Sequence, residues 1–165
     1  MDYEKAESFW MDKEKDSVRM EEGELKKRIE AFLASHKTCA LATGSGDFVR
    51  CTPIEYTYLD GSFYLFSEGG LKFRALKENK NVCLAVYDEY QGFGKTKGLQ
   101  VTGTAFMVEP WSDEYRRLLS YKKIPEEALK KLPEVMHLIR IMPTRMDFLC
   151  SELKKEGYSV RQYLE

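Results

Sequence analysis

The feature that most constrains this chain is a series of strand-forming runs that follow one another through tight turns rather than through helices. Residues 38–43 are short and apolar and end at Gly44-Ser45-Gly46-Asp47, a hairpin signal. Residues 48–59 alternate in character, Asp60-Gly61 follows, and residues 62–67 return with Phe63, Tyr64 and Phe66. Asp-Gly between two such runs is a strong hairpin signal, because both central residues of that turn take positive φ. Strands joined so tightly pair antiparallel, since parallel neighbours need a crossover of about a dozen residues. Glu68-Gly69-Gly70 breaks the pattern, and residues 71–79 read as a short helix. Residues 82–87 are apolar on both faces, the pattern of a strand buried on both sides. Residues 89–97 carry two glycines without a period and read as a loop, and 99–108 form a long strand with Gly103 at its middle. A glycine there marks a bend or a close approach by ligand or backbone.

Helices flank this β block. Residues 2–16 are charge-rich, with Phe9, Trp10 and Met11 as the bulky apolar cluster. From Glu21, the residues Leu25, Ile29, Phe32 and Leu33 follow the three-to-four spacing of one buried helix face. Pro110 precedes a helix with Trp111, Tyr115, Leu118 and Leu119 on one face, and Pro125 opens a further helix that Pro133 limits. Residues 138–142 and 145–150 read as two closing strands. Strands clustered in hairpins rather than alternating with helices predict an α+β fold with an antiparallel barrel. The 165 residues suit a single domain, with a helical extension at 1–20, a core at 21–152 and a C-terminal tail at 153–165.

Composition excludes several classes. A formal net charge of −1 argues against nucleic acid as the main partner. No apolar run approaches the roughly 20 residues of a spanning helix, and the opening Met1-Asp2-Tyr3-Glu4-Lys5 lacks a signal-peptide layout. Cys39, Cys51, Cys83 and Cys150 form no Cys-x-x-Cys pair, and His36 and His137 lie far apart. Reduced thiols, no metal site and a cytoplasmic location are expected.

The chemistry is concentrated between Arg50 and Gly103. In the turn at residues 66–74, Gly69-Gly70 lets the backbone approach an anion, the following helix presents free N–H groups, Ser67 adds a hydroxyl, and Lys72 stands in the first turn, where a cation wants an anion nearby. On the preceding strand Arg50, Thr52, Ile54 and Tyr56 share a face, so an arginine and a threonine can reach one ligand. Pro53 removes a ladder donor and belongs at an edge or a break.

Taken in order, Leu41-Ala42-Thr43, Arg50-Cys51-Thr52-Pro53, residues 63–67, Gly70-Leu71-Lys72, residues 76–82 and residues 98–105 resemble the pyridoxamine 5′-phosphate oxidase-like FMN-binding split barrels, over roughly residues 25–150. The resemblance implies a six-stranded split β-barrel that dimerises, with two FMN molecules at the subunit interface. It implies that Arg50 and Lys72 reach the FMN phosphate, that Cys51, Thr52 and Pro53 line the isoalloxazine ring, that Phe66 and Ser67 flank the ribityl phosphate arm, and that Gln100 approaches the ring. Two departures bear on the substrate. The vitamin B6 oxidases carry a lysine where this chain has Glu55, and their C-terminal tryptophan and Arg-x-His segment have no match after Cys150. Relatives reduce other substrates, and some bind haem or deazaflavin F420. The expectation is an FMN-dependent oxidoreductase acting on a small molecule, with NAD(P)H as a candidate donor and pyridoxamine phosphate not the substrate. The alternatives are a haem-binding or haem-degrading barrel with His36 or His137 as axial ligand, and a non-enzymatic FMN-binding dimer. Trp111 and Tyr115 are candidates both for a homodimer surface and for burial within the subunit.

Overall fold

The turn at Asp60-Gly61 has the required geometry, with φ of 49° and 77°, and around it the chain winds one continuous antiparallel sheet. The computed structural model describes residues 1–165. In chain order the elements are α1 (Tyr3–Lys15), α2 (Glu22–Ala34), β1 (Thr38–Ser45), β2 (Phe48–Glu55), β3 (Thr57–Leu59), β4 (Ser62–Ser67), α3 (Lys72–Glu78), β5 (Asn81–Tyr87), β6 (Lys97–Val108), α4 (Asp113–Lys122), α5 (Glu126–Leu129), β7 (His137–Cys150) and β8 (Arg161–Leu164). The sheet order is β2-β1-β5-β6-β7-β4-β3, with β8 paired to β7.

The two ends of that order, β2 and β3, are consecutive in the chain, so the sheet must curl until its edges meet. The expected single strand over 48–59 divides at Tyr56 for this reason. Its first half pairs with β1 and its second with β4. Tyr56 anchors the break: its N–H donates to the Lys37 carbonyl at 2.9 Å and its hydroxyl to that of Leu33 at 2.8 Å. With β2 and β3 counted as one interrupted strand, six strands form an α+β split barrel, and β8 adds a short edge. The two closing strands expected at 138–142 and 145–150 are one strand, β7. A bulge at Thr144 absorbs the irregularity, since Thr102 faces Arg145 while Gly103 faces Pro143. A Cβ on Gly103 would lie 2.5 Å from the Met142 carbonyl oxygen, the close backbone approach that a mid-strand glycine signals.

The barrel interior holds Leu41, Phe63, Leu65, Leu84, Val101, Ile139 and Ile141, plugged by Leu25, Ile29, Phe32 and Leu33 of α2. Each such side chain contributes about 1.5–3 kcal/mol on burial. On β5 only Val82, Leu84 and Val86 face this core; Cys83 and Ala85 lie on the outer face and stay half-covered, so the strand is not buried on both sides within the chain. A second cluster sets Tyr115, Leu118 and Leu119 of α4 against Tyr64, Val108 and Leu138. Tyr115 is fully buried there, and Trp111 packs on it at 5.2 Å between centroids. Tyr115 therefore belongs to the subunit's own core, while Trp111 is half-buried at the edge of that cluster. The last residues pair as β8, and the buried Gln162 accepts from the Met20 N–H and donates to the Val18 carbonyl. No helix is long and apolar enough to cross a membrane.

Candidate functional site

Cross-strand partners share a face. Arg50 is paired with Thr43 and Thr52 with Leu41, and both partners are buried, so Arg50 and Thr52 lie on the inward face of the sheet, Thr52 half-buried and Arg50 exposed at the rim. They stand at the mouth that α3 covers: Asn79 donates to the Gly44 carbonyl at 2.8 Å, and the Arg74 guanidinium lies 4.7 Å from the Phe48 ring centroid. From the opposite wall β4 brings in Ser67, 7% exposed, as the partner of His137 on β7.

Lys72 enters this mouth from α3. It is only 6% exposed, and its ammonium donates to the Gly69 carbonyl. Neither Lys72 nor Arg50 has an acidic partner in any ion pair of the chain. Burial, and after it the charge of Arg50, hold the Lys72 ammonium below the ordinary lysine value. Two neighbouring hydroxyls, Thr52 Oγ1 and Thr43 Oγ1, are buried without a hydrogen-bond partner. The mouth thus brings Lys72 and Arg50, both without counter-charge, together with two donors without acceptors, and an anionic oxygen cluster would satisfy these four groups. Gly70, at φ 104°, lets the turn pass Lys72; a Cβ there would lie 3.7 Å from the ammonium nitrogen.

The geometry corrects one expectation. The free helix N–H groups anticipated behind Gly69-Gly70 are partly used: Phe73 N–H donates to Gly70 and Arg74 N–H to Leu71, each at 3.1 Å. What this mouth could offer an anion is therefore chiefly side chains. Ser67 is also engaged, its hydroxyl lying 3.1 Å from the Gly69 carbonyl and 3.2 Å from the Gly69 N–H.

The other sequence-predicted residues lie apart. Cys51 and Pro53 alternate with Arg50 and Thr52 and are exposed on the outer face of the sheet. Pro53 heads a row that runs through Ala40 and Ala85 to Gln100 and Asp147. Three strand spacings separate Pro53 from Gln100, about 14 Å, and Gln100 lines a 190 Å³ cavity with Glu14, Tyr87, Asp147 and Tyr163. The Phe66 ring turns from the Gly69-Gly70 turn to pack edge-on against Tyr115 at 5.5 Å. Phe66 also borders an open groove of about 620 Å³ with Glu55, Ser67, Glu68, Gly69, Gly70 and Met136. Glu55 is held there by Lys122 at 2.9 Å. Thr43 enters the sequence reading only as the end of the run Leu41-Ala42-Thr43, with no role in the site; its pairing with Arg50 places it in the mouth.

The histidines differ. His36 is tied at both ring nitrogens, Nε2 to Asp88 at 2.9 Å and Nδ1 to the Phe32 carbonyl at 2.9 Å. His137 is half-buried against Phe73, centroids 5.0 Å apart.

The model of the family described as pyridoxamine 5′-phosphate oxidase matches residues 25–150. No curated protein sequence matches the chain. Solved structures share the fold. A FAD-binding protein from Mesorhizobium loti is similar with a TM-score of 0.60 at 19% identity, covering 73% of this chain and 89% of its own. HutZ, the haem storage protein of Vibrio cholerae, has a TM-score of 0.61 at 19% identity over 76% of this chain and 91% of its own. Campylobacter jejuni ChuZ has 0.66 at 18% identity over 89% of this chain and 61% of its own.

Proposed function

This chain belongs to the pyridoxamine 5′-phosphate oxidase family, and on that footing we propose that it is a cytoplasmic FMN-binding flavoprotein that acts as an oxidoreductase on a small molecule. The observation that carries the reading is the buried, uncompensated Lys72 beside Arg50, with the orphaned hydroxyls of Thr43 and Thr52 within the same mouth. The buried ammonium and the two unpartnered hydroxyls are costly on their own, and together with Arg50 at the rim they fit a phosphate dianion. FMN anchored there supplies hydride chemistry, while the protein orients it and excludes competing reactions.

The outward row completes the reading as a homodimer. Cys51, Pro53 and Gln100 face away from the phosphate mouth, and the same face carries the small residues Ala40, Ala42, Cys83 and Ala85. A ring leaving the mouth over the β2 edge reaches Cys51 and Pro53 of its own subunit and Gln100 of a second copy, so each site needs both. NAD(P)H is the proposed electron donor. Pyridoxamine phosphate is not the proposed substrate, since Glu55 with Lys122 replaces the lysine of the vitamin B6 oxidases.

The test is the visible spectrum of the purified protein, followed by titration of FMN and riboflavin into apoprotein. A flavin spectrum is expected. Lys72→Ala and Arg50→Ala should each weaken FMN about 10- to 100-fold, the loss of one charge-assisted hydrogen bond, with little effect on riboflavin. A haem Soret band would instead favour the haem reading, for which His137 is the available axial ligand, His36 being engaged at both nitrogens. Flavin without turnover of NADH or NADPH would favour a non-enzymatic dimer.

A further inference from the structure

One basic side chain at the mouth has no role in the site as described so far. His137 opens β7 and is the cross-strand partner of Ser67, so the two side chains leave the same face of the sheet. On this strand Ile139 and Ile141 continue the same face into the barrel core, which places His137 at the end of the inward row. Its ring packs on Phe73 with centroids 5.0 Å apart, and the Lys72 ammonium lies 5.3 Å from the centroid of that same Phe73 ring. Lys72 and His137 therefore sit on one aromatic side chain.

The position is fixed rather than incidental. The residue before it, Met136, has its carbonyl held by the Tyr115 hydroxyl at 2.8 Å, and Tyr115 is fully buried in α4. From the other side the β4 ladder sets the register at Ser67. Yet the imidazole makes no hydrogen bond and no ion pair with any protein group, although its ring packs on Phe73. A half-buried imidazole held firmly, unpaired, beside a buried lysine and turned toward a serine is suited to an acceptor that arrives from outside.

We propose that His137 is the third basic group of the cradle and hydrogen-bonds the phosphate of the bound flavin nucleotide; this rests on the reading of Arg50 and Lys72 as phosphate ligands. An imidazole N–H donates to a phosphate oxygen whether the ring is neutral or charged. The cradle would then draw on three walls of the mouth: β2 through Arg50 and Thr52, α3 through Lys72, and β7 through His137.

The experiment titrates FMN and riboflavin into apoprotein of the wild type and of Lys72→Ala, His137→Gln and His137→Lys, with urea midpoints measured alongside. His137→Gln should weaken FMN about tenfold and leave riboflavin unchanged, and His137→Lys should recover most of that loss. If His137→Gln weakens both ligands equally, or neither, while Lys72→Ala remains selective for FMN, the assignment of His137 is overturned and the cradle stands. If Lys72→Ala itself fails to discriminate FMN from riboflavin, the phosphate reading falls and His137 falls with it. A lowered urea midpoint with unchanged selectivity would mark His137 as a packing residue only.

Discussion

Replacing Lys72 by methionine should stabilise the free protein while weakening its cofactor binding, so that the order of stability reverses when FMN is added. Lys72 is 6% exposed, has no carboxylate partner and feels the charge of Arg50. Methionine keeps the stem and removes the charge. The lost hydrogen bond to Gly69 costs about 0.5–1.5 kcal/mol, and the Gly69 carbonyl keeps the Ser67 hydroxyl at 3.1 Å. Exchanging buried ions for apolar groups of similar size is often neutral or favourable by about 1–4 kcal/mol. The net expectation for the apoprotein is a gain of about 1 kcal/mol, read as a higher urea midpoint at constant slope. FMN at 100 times its wild-type dissociation constant stabilises the wild type by about 2.7 kcal/mol; a variant binding roughly 30-fold more weakly gains only about 0.9 kcal/mol. The wild type then leads by about 0.8 kcal/mol on these figures. The pH dependence has a definite sign. The folded chain holds the Lys72 proton less firmly than the unfolded chain, so wild-type apo stability rises with pH through the window just below the ordinary lysine value, and the variant's advantage shrinks there. An apo Lys72→Met protein less stable than wild type, or an equal response of both to FMN, would refute the reasoning.

Three further outcomes follow from the fold and its cysteines. Gly103→Ala should lose about 2 kcal/mol in urea unfolding, since its Cβ would sit 2.5 Å from the Met142 carbonyl and overpacking costs about 1–3 kcal/mol; Gly98→Ala on the same strand meets nothing closer than 3.4 Å and should stay within about 0.5 kcal/mol. Alkylation followed by mass spectrometry should label the exposed Cys51 first and Cys39 only on unfolding, because burial above all, with Cys51 adding to it, pushes the Cys39 thiol up to about 12. The Glu21 carboxylate caps α2 by accepting from the N–H groups of Gly23 and Glu24, which hold it below the ordinary glutamate value. Its contribution is present above the unfolded value and lost as pH falls through the folded one, so Glu21→Gln should flatten the acid limb of a stability–pH profile.

The parts of this architecture that depend on neighbours in sequence were readable from it. The apolar face of α2 consists of the four residues its spacing marks, all buried, and the Asp60-Gly61 turn follows from two adjacent residues that accept positive φ. What was not readable depends on pairing across the sheet. Nothing local to Tyr56 reports that the chain changes partner there, because the cause is the return of β4 and the carbonyl of Leu33. Pro143 looks like the end of a strand, yet β7 runs through it because the bulge at Thr144 falls opposite Gly103. The final residues are polar enough to pass for a tail, and their pairing as β8 depends on a partner strand and on Gln162 reaching back to residues 18 and 20. The candidate site divides in the same way. Arg50 and Thr52 share a face by simple alternation, whereas Thr43 and His137 join them only through ladders to Arg50 and Ser67.

The break at Tyr56 links the fold to the site. A strand that kept one partner throughout residues 48–59 would be paired along both edges once the barrel closed, and its backbone would have nothing to offer a ligand. Here β2 ends the sheet order, paired with β1 along one edge only, while the chain that continues it as β3 pairs with β4. The wall is therefore joined by covalent continuity at one point and open beyond it. Arg50 and Thr52 stand on the open strand, Ser67 stands at the end of β4 across the gap, and Lys72 of α3 covers the mouth between them. Pro53 is tolerated on β2 because an edge strand can forgo a ladder donor. A free edge of this kind invites aggregation unless something covers it, and a planar cofactor laid against β2, with a second subunit over the outer face, would cover it. The opening at the mouth thus arises from the same change of partner that closes the barrel.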